Sequence, residues 1–201
     1  MVKEKIQRGV RVSRYVIYKE TLVDFKEHFW SFIGTFVGMG LLAFVQSYFL
    51  DKTENVLLIG SFGASSVLVY GAIQSPLAQP RNLIGGHVIS AIIGVTVFKC
   101  LPDIIWLTAP LAVALSIVLM QITKTLHPPG GATALIAVMG APKIAALGYY
   151  YVFSPVLSGT LILVLVALVF NNMTSYRQYP TSKKFTYFKK KKLKLFSKKD
   201  R

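Results

Sequence analysis

Residues 125–135 read TLHPPGGATAL, an imidazole followed by two prolines and two glycines at the head of an apolar run. Pro128 and Pro129 suit the first turn of a helix, where the missing N–H would have had no intrahelical acceptor anyway. Pro128 also pushes His127 toward an extended conformation, so the helix is expected to start near Pro129. Gly130 and Gly131 carry no side chains, and their amides at the positive end of the helix dipole would suit an anion, with Thr133 adding a hydroxyl. A second polar cluster, GSFGASS over residues 60–66, places Ser61, Gly63, Ser65 and Ser66 at the head of another short helix. Two such N-termini facing each other would replace part of the hydration shell of a small anion.

His87 lies inside an apolar element and His127 beside the break; each either makes a structural hydrogen bond or handles substrate or a proton. Arg81, in SPLAQPRNLIGGH, either attracts anions with its forked donors or anchors a loop at the lipid headgroups. The competing reading of the glycines is helix packing, which Gly34 and Gly38, and Gly86, Ser90 and Gly94, fit at four-residue spacing. Hydrolytic chemistry has little material, because no acid lies between Glu54 and Asp103 or between Asp103 and Asp200. The glycines of residues 60–66 lack a P-loop ending, and Cys100 is the only cysteine, so no ATP motif, intrachain disulfide or cysteine-rich metal site is present. Neither an enzyme nor a cofactor is expected.

The elements that would position these residues are those of a membrane protein. The chain has 201 residues, 53% of them hydrophobic and only 15% charged, too apolar for an ordinary soluble domain. Residues 29–50 and 104–123 are long charge-free runs, each able to cross a hydrocarbon core of about 30 Å as a helix. Six apolar elements follow from the pattern: 29–50, 56–72, 83–98, 104–123, 128–141 and 152–170. The second and fifth are short or interrupted. They also resemble each other: GASSVLVYGA from Gly63 aligns with GATALIAVMGA from Gly131 when one gap is allowed, and Gly86 then corresponds to Gly159. The fold class is therefore all-α integral membrane, with two pseudo-repeated three-element halves, residues 29–98 and 104–170. Three crossings per half give six in total; re-entrant short elements give four. Matching proline and glycine interruptions in two halves are the pattern of transporters built from repeats. In lipid such irregular backbone survives only where protein covers it or water wets it, so HPPGG predicts a buried junction or a wet, electropositive cavity.

The formal net charge of +15 is mostly terminal. Eleven Lys or Arg lie between 177 and 201, and seven between 1 and 28, which places both termini on the cytoplasmic face. Residues 1–28 are read as a basic N-terminal segment, 29–171 as the transmembrane domain and 172–201 as a basic tail. The tail either lies on anionic lipid, at about 1 kcal/mol per basic residue, or is solvated. No recognition fold accompanies the charge, so nucleic acid is not an expected partner. The glycine faces leave a homodimer open.

HPPGGATAL, together with GSFGASSVLVYGAIQSPLAQPRNLIGGHVISAIIGV, resembles the two characteristic blocks of the HPP family of integral membrane proteins, over roughly residues 29–171. The resemblance implies a compact domain of about four transmembrane segments and an association with nitrite transport. Carried onto this chain, it marks His127, Pro128, Pro129, Gly130, Gly131 and Thr133, with Ser61, Gly63, Ser65, Ser66, Gln79, Pro80, Arg81, Asn82 and His87, as pore or site residues. A missing transit peptide sets the chain apart from plastid members and points to a prokaryotic plasma membrane, and no room is expected for CBS-type regulatory domains. The function expected is a transporter or channel for a small monovalent anion, nitrite foremost. The alternative is a nontransporting scaffold or lipid-sensing module.

Overall fold

The computed structural model describes residues 25–50, 60–139, 142–174 and 176–181. Four helices are long and apolar enough to cross a membrane: α1 (Phe25–Gln46), α3 (Pro80–Cys100), α4 (Ile105–Ile122) and α7 (Val152–Phe170). Between them lie two shorter helices, α2 (residues 60–71, widening to a π-helical turn over Val67–Gly71) and α5 (Pro129–Met139), and a single amphipathic turn or two, α6 (Pro142–Leu147). The described residues contain no strand. At 1.5 Å per residue α3 is about 31 Å long and α5 only about 16 Å, so α5 occupies roughly half the thickness that α3 crosses.

Side-chain contacts give the direction of every element except the short α6. Gly86 lies against His127, Gly130 against Ser90, and Gly94 against Ala134 and Ala137, so α5 runs parallel to α3. Met120 packs at Gly86 and Ser90, while Ala112 clusters with Val97, so α4 is antiparallel to both. Gln46 reaches Pro155 and Gly159, and Gly34 faces Phe170, so α1 and α7 are antiparallel to each other. Ser61 meets Pro129 and Thr133 in the interior, while the Tyr70 carbonyl accepts from Ser31 near the start of α1. Thus α2 begins in mid-bundle and runs outward toward the end that holds the start of α1, and α5 begins beside it and runs the other way.

The six elements therefore alternate in direction, and the second half is inverted relative to the first. The repeat is visible in the packing. Aligning Gly63 with Gly131 pairs Phe62 with Gly130, and Gly86 pairs with Gly159; Gly130 packs on the Gly86 backbone in one half, and Phe62 packs on Gly159 in the other. Each short helix thus leans on the third element of the opposite half. Ser61 and Pro129, which correspond in the two copies, touch directly, which puts them close to the pseudo-twofold axis. Among the described helices only the four long ones meet the length needed to span; α5 is reached from the end of α4 through residues 125–127, which form no regular secondary structure.

Small residues set the spacing. Gly34 and Gly38 of α1 make room for the Tyr70 ring, whose hydroxyl donates to the Leu163 carbonyl at 3.1 Å, so the packing reading of these glycines holds. Tyr70→Phe keeps the ring and loses that bond. It is expected to cost about 1 kcal/mol, read as a lower midpoint of thermal unfolding in detergent.

The two ends of the transmembrane domain meet. Arg177, with almost no exposed surface, forms an ion pair at 2.8 Å with Glu27 and also donates to the Tyr70 carbonyl and Asn171. The start of α1 and the end of α7 are therefore on the same end of the bundle, as an even number of passes requires. Residues 176–181, read from sequence as part of the tail, dock into the body: the Tyr179 hydroxyl donates to the Ala78 carbonyl at 2.7 Å, and the Thr181 amide donates to Gln79 at 2.9 Å. Charge counting placed them in the tail because Arg177 is basic; its buried carbonyl and carboxylate partners are invisible at that level. The rest of the tail and residues 1–24 lie outside the described residues.

Candidate functional site

The N-terminal ends of α2 and α5 bring five of the sequence-marked side chains into one hydrogen-bonded chain. Ser61 and Ser65 come from successive turns of α2, His87 from the second turn of α3, His127 from the extended segment before α5 and Thr133 from the first turns of α5. All five are buried, with His87, His127, Ser65 and Thr133 at 0% exposure. Starting from Ser61, its Oγ lies 2.8 Å from Thr133 Oγ1, which lies 2.7 Å from His87 Nδ1. His87 Nε2 is 2.7 Å from Ser65 Oγ, which is 2.9 Å from His127 Nε2, and His127 Nδ1 is 2.8 Å from the Leu77 carbonyl oxygen. Ser65 and Thr133 are equivalent positions of the repeat, so the two copies contribute one hydroxyl to each nitrogen of a single imidazole.

The last bond sets the direction of all the others. A carbonyl can only accept, so His127 Nδ1 carries the proton, and a neutral ring then presents Nε2 as an acceptor. Ser65 must donate to it, and having one proton it accepts from His87 Nε2–H. His87 Nδ1 is left as an acceptor and takes the Thr133 proton. The proton of Ser61 lies between Thr133 Oγ1 and the Pro129 carbonyl, 3.0 Å away. Every donor and acceptor is matched with both imidazoles neutral and in opposite tautomers. The two imidazoles are tilted at 55° with their centroids 5.0 Å apart, and the Phe62 ring lies 4.9 Å from that of His87. Tyr151 closes the far side by donating to the Thr133 carbonyl at 3.2 Å.

Gly130 follows the packing reading of the glycines, not the anion-site reading. The Gly130 amide donates to the His127 carbonyl at 2.9 Å and the Gly131 amide to the Pro128 carbonyl at 3.0 Å, so neither N–H is free to hold an anion in this conformation. A Cβ on Gly130 would sit 2.8 Å from Ser90 Oγ and 2.9 Å from the Gly86 carbonyl. Gly130 is small because α5 has to touch the α3 backbone there. The wet, electropositive pocket expected at this junction is replaced here by a packed, uncharged network, since turn-type hydrogen bonds within residues 127–131 satisfy the amides locally. Gly131 has more room, with Val113 at ordinary contact distance, and Pro128 is exposed.

Other marked residues stand apart from the chain. Ser66 is buried and its Oγ has no hydrogen-bond partner. Gly63 faces open space. Arg81 is exposed at the start of α3, where its Nη2 donates to the Thr123 carbonyl at 2.7 Å and ties α3 to the end of α4. With Gln74, Pro76, Gln79, Pro80, Asn82 and Thr181 it lines an open depression of about 510 Å³. Asn82 donates from this rim to the Leu126 carbonyl, next to His127. Leu77, whose carbonyl holds His127, belongs to the loop between Pro76 and Gln79, so the depression and the histidine chain share one piece of backbone.

Three contributors escaped the sequence reading: the Leu77 carbonyl, Phe62 and Tyr151. The first is a main-chain group with no residue signature, and the aromatic pair looks like any membrane core. Among the described residues no group of three His, Cys, Asp or Glu could hold a metal ion.

Comparison with known proteins follows the same lines. The family model described as HPP, transmembrane region, matches residues 20–180. Two transmembrane proteins of Dictyostelium discoideum are similar: one is 45% identical over 163 residues, covering 78% of this chain and 51% of the relative, and the other 46% identical over 160 residues, covering 78% and 56%. The chain thus spans about half the length of these relatives. Both come from a eukaryote, and they give the expected prokaryotic setting no support. No solved structure matches. A match over most of the chain, with both sequence blocks converging on one buried histidine network, leads to one assignment: the chain belongs to the HPP transmembrane family.

Proposed function

We propose that this domain transports a small monovalent anion, nitrite being the first candidate because of the family resemblance. The observation that carries the reading is the histidine–hydroxyl chain at the meeting point of two inverted short helices. A fully apolar junction would be easier to fold, and polar groups retained at such depth in a membrane protein usually mark a substrate or ion path. Inverted repeats with short helices meeting in mid-bundle are the architecture in which alternating access is achieved by moving one half against the other. The conformation seen here is then the closed one. Separating α2 from α5 would expose the hydroxyls of Ser61, Ser65 and Thr133 and the Nε2 atoms of the histidines to the passing ion. Arg81, fixed and solvent-facing at the depression, would raise the local anion concentration without entering the chain.

Nitrite uptake into proteoliposomes tests this. His127→Ala is expected to reduce uptake at least tenfold, about 1.4 kcal/mol or more in the barrier, in protein that still elutes as a folded species. Arg81→Gln is expected to raise the half-saturating concentration and leave the maximal rate in place. Uptake indifferent to both substitutions would overturn the proposal. The cytoplasmic placement of both termini, and the contact of the basic tail with anionic lipid, belong to the same proposal; protease protection in oriented vesicles tests the first and vesicle flotation with and without residues 182–201 the second.

A further inference from the structure

The histidine chain has a feature that binding an anion does not require: it has one direction from end to end. Ser61 is adjacent in sequence to exposed Gly60, and His127 is held by the Leu77 carbonyl beside the depression. From Thr133 onward each group gives its proton forward to the next, through His87 and Ser65, and the Ser61 hydroxyl joins them by turning from the Pro129 carbonyl to Thr133. A second acceptor is also in place, because Ser65 Oγ lies 3.2 Å from the Ser61 carbonyl.

We propose that this chain binds and relays one proton, and that the proton moves together with the anion; the second half of this rests on the transport reading above. A solvent proton arriving on Ser61 Oγ releases the Ser61 proton to Thr133, the Thr133 proton to His87 Nδ1, the His87 Nε2 proton to Ser65, and the Ser65 proton to His127 Nε2. One proton has entered and no atom is left over. His127 is now the cation, donating to Leu77 and to Ser65, and His87 is neutral in the other tautomer. In a related state a proton on His127 Nε2 turns the Ser65 hydroxyl from His127 to the Ser61 carbonyl, and His87 keeps its tautomer.

The groups facing the two imidazoles are few. From α2 they are Phe62 and Ser65, from α5 Thr133, from α3 the Gly86 backbone beside His127, and from the loop the Leu77 carbonyl. The titratable groups are the two histidines themselves and Tyr151, which acts one bond away through the Thr133 carbonyl; Arg81 donates elsewhere. Among the described residues no carboxylate meets either imidazole, so a charge on His127 is best offset by an anion alongside. That is the physical basis for moving both together.

Nitrogen NMR on histidine-labelled protein in lipid reads the chain without any substrate. The sequence has three histidines, and exposed His28 serves as an internal reference. The expected result near neutral pH is His127 protonated on Nδ1 and His87 on Nε2, with acidification adding a second proton to His127 alone. The same tautomer on both rings, or both rings gaining a second proton together, would overturn the proton site. Ser65→Ala should uncouple the two rings, so that His87 Nε2 loses its downstream acceptor and its nitrogen shift changes. In proteoliposomes, the initial rate of nitrite uptake above protein-free vesicles should rise severalfold under an inward proton gradient, and Ser65→Ala should abolish that response. Uptake that ignores the gradient overturns the coupling and leaves the transport proposal intact. Absence of uptake at every pH overturns the transport proposal, while the NMR result still decides the proton site.

Discussion

Arg177→Met should lower the stability of the domain by about 3 kcal/mol, the scale seen when one partner of a buried ion pair is removed. In the native structure the guanidinium contacts four residues on three separate pieces of chain. It meets the Glu27 carboxylate at 2.8 Å and the Glu27 carbonyl at 3.2 Å, Ser31 at 3.3 Å, the Tyr70 carbonyl at 2.9 Å and Asn171 at 2.8 Å. The Tyr70 carbonyl belongs to the last turn of α2, whose C-terminal carbonyls have no helical partner, and the neighbouring Val69 carbonyl is capped by Asn171. Arg177 therefore joins the start of α1, the end of α2 and the end of α7 at a point where few apolar contacts could do so. Burial pulls its guanidinium below the ordinary range, and the Glu27 carboxylate opposes that shift.

Methionine fills much of the volume and satisfies none of these groups. Glu27 is still partly exposed and recovers some hydration, which holds the loss near the lower end of the usual range. Glu27→Gln should be milder, about 1 kcal/mol, because Arg177 keeps its carbonyl and Asn171 partners. Thermal unfolding in detergent, followed by the fraction remaining monodisperse, should show Arg177→Met falling well below Glu27→Gln. Equal midpoints for the two variants would mean the guanidinium is not the joint described here.

Gly94→Val should have the larger effect on activity. A Cβ at this position would lie 2.6 Å from the Ala134 carbonyl oxygen and 2.9 Å from Ala134 Cα, both backbone atoms that move only if α5 moves. Overpacking of this kind costs about 1–3 kcal/mol in a well-packed core. The functional cost should exceed the stability cost, because α5 carries Thr133, whose 2.7 Å bond to His87 Nδ1 is the joint between the two halves of the chain. A shift of about 1 Å breaks a hydrogen bond of that length. Nitrite uptake is expected to fall by at least tenfold while a folded fraction survives. Gly63→Ala is the control. Nothing lies within 4 Å of a Cβ there, so alanine should be neutral or slightly stabilising through helix propensity. Comparable losses of uptake in both variants would show that the α3–α5 contact does not govern the site.

The sequence alone carried the class of the protein, its repeat and most of the residues at its centre. Long charge-free runs have few alternatives to membrane helices, and the prolines and glycines of residues 128–131 mark a helix start because they fit nowhere else at comparable cost. Ser61, Ser65, His87, His127 and Thr133 could be marked because polar side chains are rare in such runs. What they do together could not be read, since it depends on which lone pair each proton faces. One main-chain oxygen, that of Leu77, orients the whole chain, and no residue type announces it.

Tertiary structure likewise decided the fate of Gly130 and of Arg177. For the first the sequence left two readings open, an amide offered to a ligand or a packing contact, and the fold brings two helix backbones together there. The second was expected in a basic tail and instead lies buried between α1, α2 and α7. Periodicity and composition report which face of an element is apolar; they are silent on which carbonyl from a distant part of the chain arrives at a given polar atom. That information exists only once the two inverted halves have closed on each other.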